Sequence, residues 1–320
     1  MSAKIDTLDK KILYELDYDS RQSNAKIAKK LGKSTEVVSY RIKKLEQENI
    51  ITHYVVIVNL SKLNVVQFKI CLEFQHMSSK ILKNKIETLK KKDAVKWIAE
   101  CKGSWDMMIS CETESIAGVE ELKQYVLSVF AGYVREKGIA ILVKGLTHNR
   151  DYLIKDNSSL HRSRRLMIDE NPVAIDETDH AILKKLVENG RMPLTKMAQE
   201  LNTTARVVNY RIRQMKKNNI ILGFKISLNY EKLGIRFYKT FITIESSNER
   251  ARALDNYLAQ QKSVIHTVKV LSSWDLEPEF EVYSEKEFDE ALQEMKDMFS
   301  DIIKSIDIAT ISKEHKFIYF

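Results

Sequence analysis

The side chains able to carry covalent or acid–base chemistry are few and scattered. Cys71, Cys101 and Cys111 stand alone in apolar, strand-like stretches without Cys-x-x-Cys spacing, so they read as buried free thiols and not as metal ligands or a redox pair. The seven histidines never fall into a His-Glu-x-x-His or comparable ligand spacing. Gly-rich phosphate loops and a Gly-x-Ser-x-Gly nucleophile elbow are missing too. No catalytic residue is nominated, no metal or cofactor is expected, and the chain reads as a non-enzyme. What recurs is a different chemistry: hydroxyl, amide and basic groups gathered on one short helical segment that occurs twice. In the first occurrence they are Ser34, Thr35, Glu36, Ser39, Tyr40, Arg41, Lys43 and Lys44; in the second, Thr204, Arg206, Asn209, Tyr210, Arg211, Arg213 and Lys216. Arg can pair with guanine, Asn with adenine, and Lys or Arg with phosphate, so double-stranded DNA is the partner such a set would suit.

These groups sit on the last of three amphipathic helical segments. Apolar residues recur at helical spacing as Leu8, Ile12, Leu13, Leu16, then Ile27, Ala28, Leu31, then Val38, Ile42, Leu45. Asp6 and Asp176 precede the first helix of each occurrence as N-caps. Gly32 and Asn202 tolerate the left-handed turn between the second and third helices, and Asn49 and Asn219 suit its far end. This is a helix-turn-helix pattern. Val38, Ile42 and Leu45 form its core stripe, and Arg41 and Arg211, lying beside that stripe, are expected to touch phosphate or a carboxylate of their own unit and not a base.

The chain is a tandem repeat. A shift of 170 positions lays residues 5–54 over 175–224 without a gap, with 18 identities in 50, among them Arg21 with Arg191 and Tyr40-Arg41-Ile42 with Tyr210-Arg211-Ile212. After each helical part the period changes to one that alternates, predicting strand 66–74, helix 79–92, strands 94–102 and 105–113, helix 115–130 and strand 138–145; the second copy repeats the order, ending in a strand over 303–312. That is βαββαβ, the ferredoxin-like order. The expected domains are 1–54 and 175–224, helix-turn-helix units; 55–154 and 225–320, βαββαβ units; and 155–174, an exposed basic connector containing His161-Arg162-Ser163-Arg164-Arg165.

Of 320 residues, 44% are hydrophobic and 30% charged, which suits folded domains, and no apolar run reaches the ~18–20 residues of a membrane span. The first residues lack the apolar core of a signal peptide, so a cytoplasmic location is expected. The net charge of +8 concentrates where DNA would lie: +3 over 1–54 and +4 over 175–224, whereas the βαββαβ units carry +4 and −4. Those opposite totals favour pairing of unlike units within one chain.

The pattern Ile5-Asp6, Asp9, Ile12-Leu13, Ala28, Leu31, Val38, Arg41-Ile42, Leu45, Ile50-Ile51, followed by βαββαβ with the turn Gly103-Ser104-Trp105-Asp106, resembles the leucine-responsive regulatory protein/AsnC family, twice over. The resemblance implies an α+β protein: two winged helix-turn-helix domains, each followed by a ferredoxin-like effector-binding and dimerisation domain of the RAM type. It implies a transcriptional regulator acting as an intrachain pseudo-dimer, open to higher homo-oligomers, with a small effector such as an amino acid at Gly103, Ser104, Trp105 and Asp106. In the second copy Ser272 replaces the turn's Gly and Pro278 removes a backbone donor, so an unequal response is expected. Two alternatives stay open. One is a tetrapyrrole-modifying enzyme like the siroheme decarboxylases, which share this fold; the other is a chromatin-like DNA organiser.

Overall fold

The computed structural model describes residues 5–154, 163–167, 171–245 and 248–318; His161 and Arg162 of the connector lie outside them. In the first copy α1 (Thr7–Tyr18), α2 (Asn24–Leu31) and α3 (Thr35–Gln47) lead into β1 (Ile51–Val58). There follow β2 (Val66–Phe74), α4 (Ser79–Lys90), β3 (Val95–Gly103), β4 (Met107–Thr113), α5 (Ile116–Val129) and β5 (Val134–His148). Within the connector, Ser163–Met167 forms β6 and pairs with β5, so the expected exposed linker is in part an edge strand. The second copy repeats the plan as α6 (Glu177–Glu188), α7 (Leu194–Glu200), α8 (Ala205–Lys217), β7 (Ile221–Leu228), the single turn α9 (Tyr230–Leu233), β8 (Arg236–Ile244), α10 (Asn248–Gln260), β9 (Val264–Leu271), β10 (Leu276–Val282), α11 (Glu285–Met298) and β11 (Ile303–Phe317).

The local signals act as their chemistry requires. Asp6 accepts from the Asp9 amide at 2.9 Å while Asp9 accepts from the Asp6 amide at 3.1 Å, a reciprocal cap that satisfies two otherwise orphaned donors. Ser34 and Thr204 cap α3 and α8. Gly32 and Asn202 turn with φ of 61° and 50°, and Asn49 and Asn219 with 52° and 56°.

Each helix-turn-helix core is completed by the other copy. β1 pairs antiparallel with β7, not with a strand of its own unit. Ile226 and Leu228 of β7 pack with Ile12, Leu16 and Ile42 of the first unit, while Val56 and Val58 of β1 pack with Ile182, Leu186 and Ile212 of the second. At about 1.5–3 kcal/mol per fully buried aliphatic side chain, this exchange makes neither unit whole alone. The boundaries drawn at residues 54 and 224 therefore fall inside strands.

The remaining strands close on themselves. Within each βαββαβ unit the order is that of a ferredoxin-like sheet, β5-β2-β4-β3 and β11-β8-β10-β9, with α4 and α5 or α10 and α11 packed outside. The edges then join across units, β3 to β11 and β5 to β9, making an antiparallel eight-stranded barrel with β6 attached. The two units thus meet along both edges and also face to face, Cys71, Trp97 and Met108 of one sheet packing with Phe241, Val268 and Trp274 of the other. β5 and β11 outrun their expected ends because each spans a seam, pairing with its own unit and with the other. Eight strands enclose an interior that side chains fill or that holds one small ligand.

Candidate nucleic-acid interface

The outer faces of α3 and α8 carry the groups nominated for DNA. Thr35, Glu36, Tyr40 and Lys43 of α3 are exposed, as are Arg206, Tyr210 and Arg213 of α8, while Asn209 is half-buried. Val38, Ile42, Leu45 and their counterparts Val208, Ile212 and Met215 face inward. Tyr40 and Tyr210 stand out at 67% and 59% exposure, each beside an exposed valine, Val37 or Val207. Sequence reading passed over these valines because each precedes a core valine, yet neighbouring helical positions point about 100° apart. An exposed apolar group on a recognition helix matches the thymine methyl.

Other nominated residues hold the unit together. Arg41 Nη1 donates to Asp6 at 2.7 Å and to Asp9 at 3.1 Å; Arg211 Nη1 does the same to Asp176 at 2.6 Å and Asp179 at 3.4 Å. The backbone amide at the cap and then the arginine hold Asp6 and Asp176 below the usual carboxylate range. Ser39 Oγ accepts from Asn24 at 2.8 Å, Lys44 lies 3.7 Å from Glu48, and Lys216 sits over the Phe224 ring.

Matched contacts 170 residues apart pin the two units. The Ser20 amide donates to Phe224 O at 3.1 Å, and the Gly190 amide to Tyr54 O at 2.7 Å. Asn59 N donates to Ile220 O, and Asn229 N to Ile50 O. Arg21 reaches Gly190 O and Met192 O, while Arg191 reaches Ser20 O and Asn24 Oδ1. The backbone exchanges, and the bonds from Arg21 to Gly190 O and from Arg191 to Ser20 O, are pseudo-two-fold copies of one another, so α3 and α8 are held at one separation and orientation, the condition for reading two half-sites.

The turn nominated for an effector lies at the β3–β11 seam. Gly103 has φ 115°, and a Cβ there would stand 2.3 Å from Ile308 O. Ser104 donates to Ile308 O through both N and Oγ at 3.0 Å. Trp105 is buried against Phe241 and Trp274, and Asp106 accepts from the Phe74 amide at 2.7 Å. In the second copy Asp275 accepts from the Ile244 amide at 2.8 Å, and Trp274 Nε1 donates to Glu277 at 2.9 Å. Both tryptophans are core aromatics. The cysteines are all buried and free, and burial pushes Cys101 and Cys111 up to about 12. Among the described residues no helix is long and apolar enough to cross a membrane.

Comparison with known proteins agrees with this geometry. A winged helix-turn-helix DNA-binding model matches residues 5–52 and an AsnC-type helix-turn-helix model matches 175–216. An uncharacterised HTH-type transcriptional regulator of Pyrococcus furiosus is 30% identical over 102 residues, 32% of this chain and 68% of that protein. The leucine-responsive regulatory protein of Rhizobium meliloti is 28% identical over 119 residues, 37% of this chain and 76% of that one. In fold, the chain is similar along 98% of its length to 94% of the siroheme decarboxylase NirDL, with a TM-score of 0.61 at 13% identity. Helix-turn-helix units in both copies, basic recognition helices and relatives of this kind together identify the chain as a member of the leucine-responsive regulatory protein/AsnC family of transcriptional regulators.

Proposed function

We propose that one chain binds double-stranded DNA as a built-in pseudo-dimer and reads an operator of two unlike half-sites. The observation that carries this is the pinned pair of recognition helices presenting different groups: Glu36, Ser39 and Lys43 on α3 against Arg206, Asn209 and Arg213 on α8. Different donor and acceptor patterns call for different bases, so the operator is imperfectly palindromic. An effector at Gly103–Asp106 would act on the β3–β11 seam, through which the two halves of the barrel meet.

Selection from a random DNA pool across a salt series, with and without an amino-acid mixture, tests this. An asymmetric motif with a large specific-to-non-specific ratio is expected. A perfect palindrome of either half-site binding best would refute asymmetry, and a ratio near one would favour a chromatin-like organiser. The whole-chain fold likeness to a decarboxylase favours a second reading, a tetrapyrrole enzyme. The cavity in the barrel mouth, about 180 Å³, adjoins a second of about 390 Å³ with which it shares Val58, Leu60, Gln67, Leu142 and His266. Absorbance titration with an iron porphyrin separates the two readings.

A further inference from the structure

The mouth of the barrel, beneath the β1–β7 ribbon, holds a partly open cavity of about 180 Å³. A cavity of about 150 Å³ accepts benzene, so the space suits one small molecule. Its wall is in part aromatic, with Trp97, Tyr230, Phe237 and Phe317 lining it. Its ionisable groups are unusual for a barrel interior: five carboxyls gather there with four lysine and arginine side chains.

Four cations stand at the cavity, each in contact with a carboxylate. Lys69 bonds Glu277; Lys239 lies 2.9 Å from Glu277 and 2.5 Å from Glu279. Arg150 meets Glu281 at 2.8 Å and Asp17 at 2.6 Å, and Lys225 meets Asp17 at 2.6 Å. The fifth carboxylate, Glu314, is left over. Its Oε1 accepts from the Trp97 indole at 2.6 Å, and no ion pair to it exists among the described residues. Burial pushes this carboxyl up, which the indole donor only partly offsets. His266 also lines the cavity: Nδ1 is 3.5 Å from Glu279, while Nε2 is buried without a hydrogen-bond partner among the described residues.

The internal repeat shows that the fold does not need this surplus. Lys69 and Lys239 match across the copies, but Glu277, Glu279 and Glu314 stand where the first copy has Met108, Ser110 and Gly145. The first unit builds its half of the same barrel without those carboxylates. A carboxylate kept in a cavity with no cation to meet it opposes folding, and a group of that kind in a cleft is a candidate for binding.

We propose that this cavity binds a small organic ammonium ion, its cationic head on Glu314 and its apolar body among the aromatic walls. The ammonium supplies the missing positive charge, and the ring faces attract it further. A free carboxylate or phosphate is disfavoured, since every cation present already has a carboxylate partner.

Calorimetric titration of the full chain with benzylamine, benzyl alcohol and benzoate tests the charge requirement at constant size, and butylamine and tetramethylammonium test the head group. At least one of the amines is expected to bind saturably, and the alcohol and benzoate are not. Glu314→Gln keeps an acceptor for Trp97 and removes the charge; amine affinity should fall at least tenfold while the unliganded protein melts no lower than wild type. Trp97→Phe, which retains the carboxylate, should weaken binding several-fold. Benzoate binding more tightly than benzylamine, undiminished amine affinity in Glu314→Gln, or no binding by any of the three amines would overturn the proposal.

Discussion

Replacing Asp17 by Asn should destabilise the protein far more than one polar residue near the end of a helix would suggest. Asp17 is fully buried on α1, yet it accepts from the Arg150 amide at 2.9 Å, Arg150 Nη1 at 2.6 Å and Lys225 Nζ at 2.6 Å. Burial alone would push its carboxyl up, but Lys225 and then Arg150 hold it below the ordinary range. Without the charge, Arg150 keeps Glu281 as a bidentate partner, whereas Lys225 retains His148 O at 2.8 Å and no carboxylate in contact among the described residues. Breaking a buried pair in this way costs about 3–5 kcal/mol, because an uncompensated charge stays inside. Urea unfolding of the full chain, followed by tryptophan emission, reads the loss. Asp17→Asn combined with Lys225→Met should recover much of it, since the stranded cation is then gone. A single variant within about 1 kcal/mol of wild type, or a double variant no better than the single, would refute the claim that Asp17 is held in place to neutralise Lys225.

Arg206→Ala should relax preference at one half-site by about 1–3 kcal/mol and leave the other unchanged, as measured by binding to operators altered in each half separately. Gly103→Val should lower the free energy of unfolding by at least about 1–3 kcal/mol, read from urea denaturation, because its Cβ meets Ile308 O in a backbone that side chains rarely adopt. Gly32→Ala, with φ 61° and open space around it, should cost about 1–2 kcal/mol of backbone strain alone. Lys239 and Lys69 hold Glu277 down at about 2 against burial. Its contribution to stability is therefore present above the usual 4.5 and lost as pH falls toward 2. Glu277→Gln should flatten that acid limb in a series of midpoints against pH; an unchanged slope would mean other carboxylates dominate it.

The helix-turn-helix units were legible in the sequence because their signals are local. Asp6 and Asp176, Gly32 and Asn202, and the Val38, Ile42, Leu45 stripe act through neighbours a few residues away. The strand partners were not legible. Alternation shows that Ile51–Val58 is a strand with a buried face, but nothing in it names Ile221–Leu228 of the other copy as the partner. The barrel interior was not legible for a related reason. Lys69, Glu277, Glu279 and Glu281 alternate with apolar residues, which reads as the solvated face of a one-sided antiparallel sheet. Joining β3 to β11 and β5 to β9 turns that face inward. Gly103 was expected to admit a ligand's close approach; the backbone that approaches it is Ile308 of the facing unit.

Fusion of the two copies is what permits the charged cavity. The contacts that repeat at a shift of 170 run largely through backbone, as from Ser20 to Phe224 and Gly190 to Tyr54, so they survive side-chain divergence. Among the positions that diverge are the exposed faces of α3 and α8 and part of the cavity lining, where a homodimer would carry every residue twice. A symmetric pair of second copies would set two each of Glu277, Glu279, Glu281 and Glu314 against two each of Lys225 and Lys239. Eight carboxylates facing four ammonium groups inside one barrel would repel one another, and several would have to take up protons. The mirrored pair of first copies would offer Met108, Ser110 and Gly145 twice, with no carboxylate for Lys69 from those positions. Only one copy of each kind lets Lys69 of the first half meet Glu277 of the second, which binds the two halves to each other in preference to their own duplicates.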